Sequence, residues 1–196
     1  WVDGEDPNIA FADIEQYINQ GYRALKFYGW PDFGTRPRRD AAILNELRTR
    51  AGEDVDLMLD LGRPASLAEA LQYARLIEDS GAAIYWWEEP LSSADDAANL
   101  AQLTARTDLR IAAGEMDLTA FAFRDLIDQR VVDLLQPDLS WVGGITEIKR
   151  IGIYSTLDEY FYCTIPVPSY FVPIIVKTFT NAGNIAKKNL FSICIH

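Results

Sequence analysis

The sequence predicts an α/β protein of the (β/α)₈ barrel class, and three observations lead to this prediction. Short apolar runs of strand length recur along the chain, and segments with helical periodicity separate them. An acidic residue follows each of four consecutive runs. Alternating strand and helix units favour parallel strands joined by right-handed crossovers. With 196 residues, the chain is predicted to form a single domain.

Five runs have the length and the β-branched or aromatic content of buried strands, and they span residues 24–27, 55–59, 83–87, 109–113 and 131–135. After the second run, Ser66 and Glu69 form the pattern of a capping box, and Gly81 closes the helix that follows. The remaining predicted elements are a helix opened by Ser93, a helix over residues 121–127, a helix over 172–189 and a strand over 190–195.

The position of the acidic residues favours a barrel over an open, doubly wound sheet, which would show the same alternation. Asp60, Glu88, Glu115 and Asp138 each follow a different strand of the series. In a barrel the carboxyl ends of the strands converge on one mouth, where active sites are built. In an open sheet the same residues would spread along an edge.

Three of these acids form a candidate metal site. Asp60, Glu88 and Glu115 are separated by 28 and 27 residues, which is one strand–helix unit each. Carboxylate oxygens are the ligands that Mg²⁺ prefers, with positions left open for water or substrate. The alternative is that these acids cap helices or face solvent. Three acids in equivalent positions favour Mg²⁺ as the cofactor.

Composition limits the classes of partner. The net charge of −11 argues against nucleic acid and against an anionic membrane surface. The apolar stretch 161–176 contains three prolines and is too short to span a bilayer. The two cysteines, Cys163 and Cys194, show neither metal-ligand spacing nor a disulfide framework, and no export signal opens the chain. We therefore expect a cytoplasmic protein.

Several motifs resemble the mandelate racemase-like branch of the enolase superfamily, and acid-sugar dehydratases of the galactonate type in particular. Residues 57–60 read LMLD, residues 85–91 read YWWEEPL, residues 111–115 read IAAGE and residues 135–147 read LQPDLSWVGGITE. The resemblance covers residues 1–153 in family order. It implies that residues 1–196 are the C-terminal barrel domain, incomplete and without the N-terminal capping domain. The segment 154–196 differs in composition from the rest.

The resemblance also implies a reaction. Mg²⁺ on Asp60, Glu88 and Glu115 would bind the carboxylate of a small sugar acid and stabilise the enediolate formed when its α-proton is removed. A general acid then assists loss of the β-hydroxyl in a dehydratase. Glu89 would support the site or form a salt bridge. A racemase or epimerase of a hydroxy acid on the same scaffold is the first alternative, and the family commonly forms homo-oligomers.

At the end of the second barrel strand, related enzymes often carry Lys-x-Lys, whose second lysine is the base. This chain keeps Lys26 but has Tyr28 in the second place. Lys26 has two interpretations, a catalytic group or a charge that neutralises the acidic mouth. Tyr28 is either an acid–base group, which requires nearby cations to lower its pKa, or a wall of the site packed on Trp30.

The other catalytic group of the branch is a His–Asp dyad. Asp138 matches the aspartate, although an aspartate closing a strand before a turn is the alternative. The single histidine is the terminal His196, and Ser169 aligns where the dyad histidine is expected. Ser169 is therefore a candidate for binding substrate. Arg63 is a candidate for binding a substrate carboxylate or hydroxyl, or else a surface arginine. These departures keep open an inactive fragment or pseudoenzyme as the second alternative.

Overall fold

Parallel strands and helices alternate along the chain, as the sequence predicts. The structure, a computed structural model, describes residues 7–30, 32–62, 65–91, 97–157 and 161–162. Within them, six parallel strands pair in the order of the sequence, each with the next. A doubly wound sheet reverses its strand order at a switch point. The uninterrupted order contradicts the doubly wound alternative and agrees with part of a barrel wall.

The strands are β1 (Ala24–Tyr28), β2 (Asp56–Asp60), β3 (Ile84–Glu88), β4 (Ile111–Ala113), β5 (Leu134–Leu135) and β6 (Phe161–Tyr162). The helices are α1 (Pro7–Asn19), α2 (Pro37–Ala51), α3 (Leu67–Asp79), α4 (Ala97–Thr104), α5 (Thr119–Asp128) and α6 (Ile145–Leu157). None of these described helices is long and apolar enough to cross a membrane.

The predicted capping box is present at the start of α3. The Ser66 hydroxyl accepts a hydrogen bond from the Glu69 amide, while the Glu69 carboxylate accepts one from the Ser66 amide. Both groups satisfy amides that the first helical turn leaves without partners. The helix predicted over 121–127 lies within α5. Ser93, residues 172–189 and residues 190–195 lie outside the described residues.

Two predicted strands are shorter than expected. The runs 109–113 and 131–135 contribute only Ile111–Ala113 and Leu134–Leu135 to the sheet. Val131 donates its amide to Leu126 at the end of α5, so this part of the run closes the helix instead of joining the strand ladder. Its side chain is fully buried. The apolar runs therefore predicted correctly that these residues are buried, but they overestimated the length of the two strands.

The sheet separates an inner layer from an outer core. Met58, Trp86, Ala112 and Leu134 form a small buried cluster, whereas their neighbours on the same strands belong to the large core beneath the helices. Side chains on a strand alternate between faces, so residues two positions later share the inner face. A register shift between β2 and β3 at Met58 keeps this alternation aligned.

Candidate active site

Strand register brings the first predicted site residues into one row. Tyr28 pairs with Asp60 across β1 and β2, and Asp60 pairs with Glu88 across β2 and β3. All three lie at the carboxyl ends of their strands, two residues beyond the inner positions Lys26, Met58 and Trp86. Asp60 and Glu88 are buried. Two of the four acids predicted to share the barrel mouth, Asp60 and Glu88, are therefore neighbours at these strand ends.

Lys26 is paired with Glu88, the last residue of this row. Its Nζ lies 2.6 Å from Glu88 Oε1 and 2.8 Å from Oε2, in a pair with exposures of 8% and 0%. The indole of Trp86 lies 3.5 Å from the same carboxylate. A fully buried carboxylate requires a charged partner, because its desolvation is otherwise too costly. This contact matches the interpretation of Lys26 as a charge that neutralises the acidic mouth.

Asp60 lies in an electrostatically unfavourable environment. Burial raises the pKa of Asp60 to about 6, and the Glu88 carboxylate adds to the rise. The Lys26 ammonium and the Gly62 amide, which donates to Asp60 Oδ1 at 2.7 Å, oppose it. Glu115 raises the pKa of Asp60 as well, which places the third acid close enough to interact. The negative charges of three carboxylates at the mouth therefore repel one another, and positive charge offsets them only in part.

The chemistry of this donor set fits Mg²⁺, which prefers carboxylate oxygens. Lys26 acts as a stand-in cation on Glu88, which shows that the site requires positive charge. Across the described ranges, however, no three acidic, histidine or cysteine side chains converge closely enough to hold a metal ion. The ligand roles of Asp60, Glu88 and Glu115 stay a prediction.

Tyr28 is part of the site as a neutral hydroxyl. Burial raises its pKa, and the carboxylates of Asp60 and Glu115 raise it further. A tyrosine base needs the opposite shift. The Tyr28 ring lies over Gly62, whose missing side chain makes room for it. Trp30 packs on Phe33, with ring centroids 5.1 Å apart, and its predicted packing against Tyr28 stays a prediction.

Glu89 connects the site to the next strand. Its Oε1 accepts hydrogen bonds from the amides of Gly114 and Glu115 at 2.8 and 2.9 Å. Burial raises the pKa of Glu89 to about 7, the two amides lower it, and Asp117 and Glu88 raise it. Glu89 therefore binds the backbone amides of the loop after β4 and forms no salt bridge with any described residue.

Asp138 organises its own turn. Its Oδ1 accepts hydrogen bonds from the amide and hydroxyl of Ser140 at 2.6 and 2.5 Å, and from the amide of Trp141 at 3.1 Å. This is the pattern of an aspartate that closes a strand before a turn. The turn-forming alternative is thus observed, and the dyad role stays a prediction. Arg63 and Ser169 lie outside the described residues.

Asp40 shapes the loop after β1, a role that was not predicted from the sequence. This fully buried residue accepts hydrogen bonds from the Trp30 indole and from the Gly34 amide, both at 2.8 Å. The available signal was its helical spacing with Leu44, Leu47 and Ala51 on the core face of α2. A charged residue at a core-facing position requires partners.

Known proteins resemble this chain in sequence and in fold. Residues 10–155 match the family model described as enolase C-terminal domain-like. The L-Ala-D/L-Glu epimerase of Bacillus subtilis (strain 168) is 34% identical over 152 residues, which cover 77% of this chain and 40% of that protein. The D-galactonate dehydratase of Ralstonia pickettii (strain 12J) is 33% identical over 157 residues, covering 78% and 40%.

Among solved structures, an L-talarate dehydratase from Polaromonas sp. JS666, complexed with Mg and L-glucarate, has a TM-score of 0.72 and 26% identity, covering 83% of this chain and 46% of that one. With the sequential strand order, these matches confirm the predicted barrel class. The chain spans about 40% of the length of the curated relatives it matches.

Proposed function

This chain belongs to the enolase superfamily, because it matches the enolase C-terminal domain-like family. From that premise we propose that it is the barrel domain of a Mg²⁺-dependent dehydratase of a sugar acid. The relatives include sugar-acid dehydratases and epimerases. The observation that carries the proposal is the row of buried carboxylates, Asp60 and Glu88, with Glu115 beyond the next strand and close enough to affect Asp60. The proposed substrate is a small polyhydroxy carboxylate.

In this proposal Asp60, Glu88 and Glu115 hold the metal. Bound Mg²⁺ supplies positive charge for a substrate carboxylate and for the negative charge that develops as the α-proton leaves. Lys26 contributes a second positive charge beside Glu88, which limits the repulsion among three carboxylates. The Tyr28 hydroxyl, kept neutral by its raised pKa, donates to the Gly62 carbonyl at 3.4 Å and so lies against the loop after β2.

The metal assignment is tested by calorimetric titration of the 196-residue chain with Mg²⁺. Glu88→Gln removes a predicted ligand charge with little change in volume, and we expect at least about a tenfold loss of affinity. Glu78→Gln is the matched control, because the Glu78 carboxylate accepts hydrogen bonds from Thr107 and Asp108, before the start of β4. Equal affinity in wild type and Glu88→Gln would overturn the assignment.

The reaction is tested with a panel of sugar acids in deuterated water. A dehydratase removes the α-proton and the β-hydroxyl, which leave together as water, and produces a 2-keto-3-deoxy acid. An epimerase, the alternative that the 34% identity to an epimerase supports, incorporates solvent deuterium and inverts the α-carbon. A chain that is folded and Mg²⁺-bound but catalyses neither exchange nor product formation would be the inactive alternative.

A further inference from the structure

The start of the loop after β4 forms a small anion-binding concavity. The successive amides of Gly114 and Glu115 point at one oxygen, Oε1 of Glu89. Such paired amides form a nest that favours negative charge. Gly114 has a φ of 113°, and a Cβ there would lie 2.6 Å from the Phe123 ring. The nest therefore depends on glycine at this position, and the Glu89 carboxylate occupies it.

The backbone of Glu89 is fixed from the other side. Its amide donates to the Ala112 carbonyl at 2.8 Å, which extends the pairing of β3 with β4 by one residue beyond Glu88. Glu89 has a φ of 43°, a left-handed conformation that is strained for a residue other than glycine. This turn directs the carboxylate towards the neighbouring strand. Strain of this kind persists when surrounding contacts determine the conformation.

We propose that Glu89 is a positioning residue for the metal site, where it fixes the backbone of Glu115 relative to Glu88. Glu88 is its chain neighbour, and the Glu115 amide is its hydrogen-bond donor. One side chain therefore connects a predicted ligand at the end of β3 with another in the loop after β4. The inference rests on the proposed Mg²⁺ site. Groups that orient metal ligands typically change affinity by about 10–100-fold when they are removed.

A substitution series at position 89 separates positioning from charge. Glu89→Gln retains an acceptor oxygen at the same reach, whereas Glu89→Asp retains the charge but withdraws the acceptor by one methylene. We expect Mg²⁺ affinity within about threefold of wild type for Gln, and a loss of about tenfold or more for Asp and for Glu89→Ala. Affinity that follows charge, retained in Asp and lost in Gln, would overturn the inference.

Glu78→Ala is the control for nonspecific loosening. In the wild type, Glu78 Oε1 also accepts two hydrogen bonds, from the Asp108 amide at 2.9 Å and from the Thr107 hydroxyl at 2.5 Å. Both donors precede β4. We expect unchanged Mg²⁺ affinity in Glu78→Ala, and faster amide exchange at Gly114 and Glu115 in Glu89→Ala and Glu89→Asp but not in Glu78→Ala. If Glu89→Ala does not fold, the Gln and Asp variants decide.

The two proposals fail in different ways. A wild-type chain that does not bind Mg²⁺ contradicts the proposed function, and the positioning role in a metal site falls with it. A wild-type chain that binds Mg²⁺, with Glu89→Ala and Glu89→Asp binding equally well, contradicts the positioning role alone.

Discussion

At the residue scale, the contact between Lys26 and Glu88 determines how the acidic mouth is tolerated without a metal. Both groups are buried, and removal of one charge from a buried pair leaves the other uncompensated. Lys26→Met is therefore expected to lower the free energy of unfolding of the metal-free chain by about 3–5 kcal/mol, measured by urea denaturation.

Two variants check the source of that loss. Lys149 is exposed, and Lys149→Met should change stability by no more than about 0.5 kcal/mol. Combining Lys26→Met with Glu88→Leu should recover most of the stability, because apolar replacement of a buried ion pair is often neutral. A double variant as unstable as Lys26→Met would show that packing, not charge, explains the effect.

The raised pKa of Asp60 predicts a dependence of stability on pH. The folded pKa of Asp60, about 6, lies above the ordinary value of an aspartate, 3.8. The stabilising contribution is complete below pH 3.8, where the carboxyl is protonated in both states, and is lost as pH rises through 6. Relative to Asp60→Asn, the metal-free wild type should lose up to about 3 kcal/mol between pH 4 and 7.

Denaturation curves of both proteins at several pH values measure this difference. Saturating Mg²⁺ should reduce the loss, because a cation bound to the carboxylate stabilises its charged form. A constant difference between wild type and Asp60→Asn over this range would mean that Asp60 ionises in the folded chain much as it does in the unfolded one.

The sequence predicted these residues unevenly. Asp60 and Glu88 were predictable because each ends an apolar run, and strand ends share one side of a parallel sheet. The Glu89 contact with the amides of residues 114 and 115 was not, because it depends on a left-handed backbone at Glu89 that no local pattern indicates. The raised pKa of Tyr28 depends on its burial and on the carboxylates of Asp60 and Glu115, which are distant in sequence.

At the element scale, the loop after β1 depends on one side chain of α2. Asp40→Ala would leave the buried Trp30 indole and the Gly34 amide without their acceptor. An unsatisfied buried donor costs about 1–3 kcal/mol, so we expect a loss of about 3 kcal/mol in denaturation and faster exchange of the Gly34 amide.

Asp32 provides the comparison within the same loop. It is 42% exposed and pairs with Arg36 and Arg39 at the surface. Exposed ion pairs contribute little, so Asp32→Ala should cost less than about 1 kcal/mol. A similar cost for the two substitutions would contradict the role given to Asp40.

Element types were predictable, and their ends were less so. Apolar runs located β1 to β3 within one residue, since each run ends where its acid or tyrosine begins. For β4 and β5 the runs began too early. The Asp133 carboxylate binds the Ile111 amide at the start of β4, and the Asp133 amide binds the Ile111 carbonyl. Such contacts between distant residues set strand ends, and apolar content alone does not reveal them.

At the scale of the whole molecule, the amino and carboxyl ends of the parallel strands have different roles. The carboxyl ends carry the candidate site, whereas buried Arg48 joins the segments that lead into β2 and β3. Its guanidinium donates to four carbonyl oxygens at 2.7–3.1 Å, those of Gly52, Val55, Ala82 and Ala83. In barrels, the amino-terminal face is typically associated with stability.

Arg48→Met should therefore destabilise the chain by about 3 kcal/mol or more while leaving Mg²⁺ affinity unchanged. Denaturation and calorimetry on the same protein measure both quantities. Arg50→Met is the control, because Arg50 pairs with Glu15 and Glu46 at the surface and should contribute less than about 1 kcal/mol. A loss of Mg²⁺ affinity in folded Arg48→Met would contradict this separation.

The strand register has a consequence for folding fidelity. Asp60 and Glu88 face the mouth only because Leu59 pairs with Trp87 beneath the helices. A slip of one residue exchanges the two faces of a strand, which would bury the carboxylates among apolar side chains and expose Trp87 inside the barrel. A misaligned chain would therefore lose its core and its site together. Refolded protein that regains native stability should regain the site without a separate step.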